Sequence, residues 1–422
     1  ALELVEYARR RIKFPQLFAG IQFKDASADL RPYGGPGPQT GEATPGEPEP
    51  AQPKETEKPA ASDEYETLEL RIGLRRDEGT YELSAETNEG GESGIFLQKL
   101  PLKDKAFTDL IDYLKDLVAD ADEAREFGGI IRDFLFPPKV WNFYTNRLTA
   151  AQEVGKKGIR IQLRIDLQSL ELNQIPWEYC LDKEGGFITL NPETTFVRYI
   201  PNKTKPKPIQ APDKVRLLIA MSSPPKEAGY EPLKVDDEVA KIRDALKDLI
   251  SNNNVIIEKL EHTTRKSLWT KFKQFKPHIL HFTGHGMMQE NGIGALVFED
   301  GNQADPVNAV EFMKVLRVNK DIKMVILSAC QTAAPGSDAA IMGVAPQLVT
   351  DGLPAVIAMQ FDVPEDTAAQ FMEAFYMSLD SGSPIDTAVA EARIGAEFLG
   401  KDPVFWAIPV LFMRAPNGNI WQ

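Results

Sequence analysis

The chain has 422 residues, 42% hydrophobic and 26% charged, which suits a soluble globular protein with two or three sizeable domains. No run approaches the roughly 18–20 apolar residues of a membrane span, and a formal net charge of −14 argues against general nucleic-acid binding. The two cysteines, far apart, make no disulfide framework and point to a reducing, cytoplasmic compartment.

The opening ALELVEYARRR carries charge where a secretory signal needs an apolar core, so no export signal is read. Leu2, Val5, Ala8 and Ile12 fall near one helical face with Arg10 and Arg11 turned away, which makes residues 1–31 a helical appendage. Residues 32–65 are rich in Pro, Gly, Glu and Thr and nearly free of large apolar side chains. Such a segment cannot bury enough surface to offset chain entropy and reads as a mobile linker.

Residues 66–202 form a first, α+β domain. TLELRIGLRR and TYELSAET alternate around Asp77-Glu78-Gly79 as a hairpin. Helical segments follow over Asp104–Asp122 and Ala124–Ala150, the second interrupted by Pro137-Pro138. Strands return at Ile159–Ile165 and Thr195–Ile200. No polar cluster here has catalytic or metal-ligand spacing, so the domain reads as structural support. A basic, Pro-rich connector spans residues 203–213.

From residue 214 to 415 strand and helix alternate. Strands are expected at Val215–Ala220, Val255–Leu260, Ile279–Thr283, Met324–Ser328, Ala355–Met359 and Ile408–Phe412. Helices are expected at Val235–Leu249, Thr264–Phe275, Ala309–Val315, Ala339–Val349, Thr367–Leu379 and Ile385–Leu399. Repeated βα units imply an α/β fold, a mostly parallel sheet flanked by helices on both faces.

Two of these strands end in reactive side chains. ILHFT breaks at Gly284-His285-Gly286, and MVILS stops at Ala329-Cys330-Gln331-Thr332. Ligands bind outside the carboxyl ends of parallel strands, so an imidazole and a thiol would share one crevice. A thiol is mostly protonated at neutral pH unless a nearby imidazole holds it as thiolate. His285 and Cys330 therefore read as a catalytic dyad. The backbone N–H groups of Gly286 and Cys330 are the candidate oxyanion hole. No third residue to orient His285 is evident.

HFTGHG followed by VILSACQTA resembles the paired signature of the CHAT family of caspase-like cysteine peptidases, relatives of caspases and separase. The likeness extends to IPWEYCLD, FITLNPETTFVRYIP, GLPAVIAMQFDVPEDTAAQF and PVFWAIPVLF, and covers about residues 66–415. It implies a caspase-like fold for residues 214–415, with residues 66–202 as a pseudo-caspase-like support. It also implies His285 as catalytic histidine, Cys330 as nucleophile, and a cysteine endopeptidase acting in bacterial defence or regulated cell death. By similarity to separase-like members, Asp362, with Glu365 and Asp366 close by, would line the substrate pocket and favour Arg or Lys. LVEYARRR is similar to the end of small effector-associated adaptor domains, which implies a regulatory protein partner for residues 1–31. No cofactor, nucleic acid or membrane is implied; the partner is a protein or peptide substrate.

Plainer readings stand beside these. His285 could be a turn histidine, and Cys330 a small buried hydrophobe. Asp362, Glu365 and Asp366 could simply serve the start of the following helix. His278, His281 and His285 invite a metal, but alternate strand residues diverge and no Cys or carboxylate set accompanies them, so no metal site is assigned. His262 has no evident partner. Cys180 reads as core, and Trp177 and Glu178 as packing residues. The functional alternative is a catalytically silent scaffold in a signalling complex.

Overall fold

Strand residues whose neighbours alternate between two apolar layers build the frame of the molecule, seen in a computed structural model. It describes residues 64–166, 169–201, 212–230, 233, 236–328, 337–361, 365–400 and 404–421. These lie in one compact unit, Ala60–Gln422. The expectations for residues 1–31, for the linker up to residue 63 and for 202–211 lie outside the described residues.

The strands are β1 (Tyr65–Asp77), β2 (Thr80–Thr87), β3 (Glu92–Lys99), β4 (Gly158–Ile165), β5 (Thr194–Tyr199), β6 (Val215–Ser222) and β7 (Val255–Leu260). They continue with β8 (Ile279–Gly284), β9 (Gly286–Met288), β10 (Gly294–Asp300), β11 (Gln303–Asn308), β12 (Met324–Ser328), β13 (Ala355–Met359) and β14 (Pro409–Met413). Eleven of them form one sheet in the order β3-β2-β1-β4-β5-β14-β13-β12-β8-β6-β7, and β11-β10-β9 form a second. Within the large sheet only β1–β2, β2–β3 and β13–β14 pair antiparallel. The fold is thus α/β with a mostly parallel sheet, as the strand pattern implies. The β5–β14 pairing carries the sheet without a break from the first half of the chain into the second.

Met324 and Ile326 of β12 join one apolar layer with Ile279, Leu217 and Ile357, whereas Val325 and Leu327 join the other with Leu280, Leu218 and Val356. Strands buried on both faces need apolar residues at every position, which is why β8, β12 and β13 read as continuous runs. The second layer is closed by Leu268 and Phe272 of the helix Arg265–Phe275 and by Phe312 and Leu316 of Ala309–Leu316. The first is closed by Phe371 and Phe375 of Glu365–Asp380 and by Ala388, Val389 and Ala392 of Ile385–Leu399.

Several elements depart from the sequence reading. The segment Asp104–Asp122 is not one helix: Lys105–Lys115 ends before Leu117, whose φ of 60° is left-handed, and a new helix Ala121–Leu135 starts under an Asp120 capping box. Pro137-Pro138 does interrupt the next stretch, with Pro138 opening the helix Pro138–Glu153 where its missing N–H costs nothing. Val235–Leu249 divides into Asp236–Ala245 and Lys247–Ser251. Strands β3, β9, β10 and β11 were not expected.

Two buried polar contacts tie distant parts together. Arg160 on β4 and Asp386 on the helix Ile385–Leu399 form a 2.6 Å ion pair with both side chains fully buried. Thr195 Oγ1 donates to Asp386 Oδ2 at 2.7 Å. Gly418, at φ +73°, is needed here, because a Cβ would lie 1.8 Å from Asp386 Oδ1. Before β8, the backbone N–H of Arg216 donates to His278 Nδ1 at 3.1 Å, its guanidinium Nη2 lies 2.8 Å from Nε2, and the Trp421 ring meets the imidazole edge-on at 5.7 Å. Burial first, and then the Arg216 charge, push the His278 imidazole down to about 4.

Asp386→Ala strands a buried guanidinium, so unfolding in urea should show a loss of about 3–5 kcal/mol. Arg160→Met combined with Asp386→Leu should recover most of it. His278 supplies a pH signature. Between the ordinary imidazole value of 6.5 and about 4, the unfolded chain holds a proton here that the folded chain does not. Stability therefore falls as pH drops through that window, by up to about 1.4 kcal/mol per pH unit from this residue. Unfolding free energies at several pH values should show a shallower acid decline in His278→Gln than in the parent.

Candidate functional site

β8 lies between β12 and β6 in parallel register, Thr283 opposite Ser328 and Gly284 opposite Ser222. The three strands therefore end at one level of the sheet. At Gly284 the chain leaves the large sheet and at Gly286 it enters the small one, where Gly286 pairs with Leu296. The glycine at 284 answers to space: a Cβ there would lie 2.7 Å from the Phe282 ring and 3.3 Å from the Ser222 carbonyl. His285 occupies the junction. Its carbonyl accepts from the Val297 N–H at 2.9 Å, and its ring is fully buried, 5.0 Å from the Tyr230 ring at a 46° tilt.

Cys330 and Asp362 lie outside the described residues. Glu365 opens the helix Glu365–Asp380, and its side chain is likewise outside the described part. His281 is buried within β8. Among the described residues no group of three or more His, Cys, Asp or Glu side chains could hold a metal ion. Cys180 is buried with its Sγ donating to the Leu181 carbonyl at 3.5 Å, and burial pushes its thiol far up, which keeps it unreactive.

Sequence reasoning missed several contacts near the ends of these strands. His262, in left-handed backbone at φ 54°, does have a partner: its Nδ1 lies 2.9 Å from Glu299 Oε2 on β10. Glu299 Oε1 accepts the Ser223 N–H at 2.8 Å just after β6. Glu178 does more than pack. It holds Arg198 in a bidentate pair, with Nε–Oε1 at 3.0 Å and Nη2–Oε2 at 2.7 Å. The Gln360 amide joins that pair from the end of β13, donating to Glu178 Oε2 at 3.2 Å and to the Ala407 carbonyl at 2.8 Å, and accepting from Arg198 Nη2 at 3.1 Å. Trp177 packs, with its Nε1 donating to the Leu172 carbonyl at 2.8 Å. No spacing in the sequence signals the contacts of Glu299 and Gln360, since each joins residues far apart in the chain.

Residues 139–414 match the model of the CHAT domain. No curated protein matches the chain. A Saccharomyces cerevisiae separase in complex with securin is 11% identical with a TM-score of 0.47, over 83% of this chain and 30% of that one. A secreted C11 cysteine protease of Bacteroides thetaiotaomicron, solved with an irreversible peptide inhibitor, is also 11% identical, with a TM-score of 0.29 over 43% of this chain and 57% of that one. The present chain thus spans under a third of the separase it resembles. Since the matched region takes in more than half of the sequence and every strand from β4 to β14, this protein is a member of the CHAT-domain family.

Proposed function

We propose that the chain is a cysteine endopeptidase in which His285 and Cys330 form the dyad. The observation that carries this reading is the register of Thr283 against Ser328 in neighbouring parallel strands. In the sequence, His285 follows Thr283 by two positions and Cys330 follows Ser328 by two. In the proposed reaction, the Cys330 thiolate attacks the peptide carbonyl carbon, and the oxygen gains negative charge against the N–H groups of Gly286 and Cys330. Imidazolium His285 then gives its proton to the leaving amine as the C–N bond breaks, which leaves a thioester on Cys330. Water, losing a proton to His285, attacks the thioester and releases the acid and the thiolate.

Membership of the CHAT-domain family supports this reading. In the same proposal residues 214–415 are the peptidase unit resting on 66–202. Asp362 and Glu365 receive a basic side chain before the scissile bond, and residues 1–31 engage a regulatory protein. A bacterial defence or regulated-death setting, in a cytoplasmic compartment that keeps Cys330 reduced, suits such a protease. No helix among the described residues is long and apolar enough to cross a membrane.

Incubation of the chain with a peptide library, read by mass spectrometry, should give cleavage on the carboxyl side of Arg or Lys. Cys330→Ala and His285→Ala should each lower the rate by at least about a hundredfold. Asp362→Asn should weaken the basic preference while leaving some cleavage. Equal cleavage by Cys330→Ala, or no cleavage by the parent chain under reducing conditions, would exclude the dyad.

A further inference from the structure

We infer that Tyr230 is a positioning residue that holds the His285 imidazole in place. Tyr230 stands on the loop that follows β6. Its ring lies 5.0 Å from that of His285, tilted by 46°. The imidazole is fully buried, whereas Tyr230 is only half-buried, so the tyrosine has both an inner contact and an outer, solvent-facing part. Rings at such a separation and tilt attract one another beyond the area they bury.

Two further contacts fix where that ring can be. The Tyr230 hydroxyl donates to Met287 Sδ at 3.5 Å, so the side chain reaches across to the strand that follows His285. The loop itself is tied at its root. Ser223 N–H donates to Glu299 Oε1 at 2.8 Å, and Ser223 Oγ accepts from the Leu233 N–H at 3.1 Å. Glu299 is in turn held by His262 Nδ1 at 2.9 Å. Gly229, at φ +88°, lets the backbone turn immediately before the tyrosine. A tyrosine supported in this way limits rotation of the imidazole. For a group that must move a proton, a displacement of about 1 Å can cost a hundredfold in rate.

The catalytic part of this inference rests on the proposed role of His285, whereas the contact does not. The test therefore has two readouts. Diethyl pyrocarbonate acylates accessible neutral imidazole, so labelling is done in the Cys330→Ala background, where no thiolate holds a proton on His285; the chain has four histidines, and peptide mapping reads them all in one sample. His262, with 82% of its side chain exposed, should react fast in every variant. His278 and His281, 5% and 0% exposed, report any general opening of the fold. In Tyr230→Ala, His285 should be modified about tenfold faster than in the parent chain, a ratio in keeping with an aromatic pair. His278 and His281 should not change, and Tyr230→Phe, which keeps the ring and loses only the weak hydroxyl–thioether contact, should stay close to the parent. With any peptide that the parent chain cleaves, Tyr230→Ala should lower kcat about tenfold with little change in KM, and Tyr230→Phe should restore it. Should Tyr230→Ala fail to fold, Tyr230→Leu keeps the bulk and removes the ring. The inference is overturned by an unchanged His285 rate, or by His278 and His281 rising in step with it. A parent chain that cleaves nothing defeats the peptidase reading, and the labelling pattern then decides the role of Tyr230 alone.

Discussion

β8 is paired along its whole length with β6, from Leu217 to Ser222, and up to Thr283 with β12, from Met324 to Ser328. Its side chains alternate between two separate apolar layers, Ile279 in one and Leu280 and Phe282 in the other. A slip by one residue would exchange the layers and drive Phe282 out of its stack with Phe298, 5.4 Å away. Register is therefore set by burial on two faces at once, and it is register that determines where the turn Gly284-His285-Gly286 emerges. The small sheet reinforces this. The Val297 N–H bonds to the His285 carbonyl and the Val297 carbonyl accepts from Ser222 Oγ at 2.8 Å, so the turn is held by backbone on one side and by β6 on the other.

The halves of the chain are joined by charge as well as by hydrophobic contact. Arg160–Asp386 links an early strand to a late helix, and Arg198–Glu178, itself within the first half, receives Gln360 from the second; both pairs are buried. Burying an ion pair costs desolvation that its own attraction barely returns, so neither pair is a simple source of stability. What they supply is a penalty for wrong assembly. An arrangement that separates Arg198 from Glu178, or Gln360 from both, leaves a charge or an amide unmatched in a dry interior. Arg393 adds to this demand, since it is fully buried, donates to the Pro409 carbonyl at 2.7 Å, and is pushed down to about 10 by burial. The residues that end β13 are thus fixed by contacts from β5 and from the Trp177–Tyr179 turn, which makes the first half of the chain part of the architecture around the sheet edge.

The strands of the parallel core were legible because burial on both faces demands unbroken apolar runs, and MVILS and AVIAM have no other plausible use. The helix Ile385–Leu399 was legible to the residue, set off by Pro384 before it and Gly400 after it. β3 was not, because Ile95 and Leu97 point outward at 72% and 62% exposure, and its alternation runs against the usual pattern. The break at Leu117 was not, because neither Gly nor Pro announces the left-handed residue. At the candidate site the end of β8 could be read from HFTGHG, since a strand that stops at two glycines around a histidine is a local feature. Glu299 with His262, Gln360 with Glu178, and Tyr230 with His285 could not. Each is a meeting of residues from different strands or loops, and only the three-dimensional register brings them together.

That distinction bears on how such an edge can work. A local motif can present a reactive side chain, but it cannot hold one, because a turn between two glycines has few contacts of its own. Here the holding is done by elements the motif does not contain: a tyrosine from the β6 loop, a carbonyl bond to β10, and a carboxylate on β10 that secures the loop from below. Orientation of the imidazole is therefore a property of β10 and the β6 loop as much as of the turn itself. Changes in any one of them should alter the behaviour of His285 before they alter the stability of the sheet, whose core lies deeper, in residues such as Leu280, Val325 and Ile326 that make no contact with solvent.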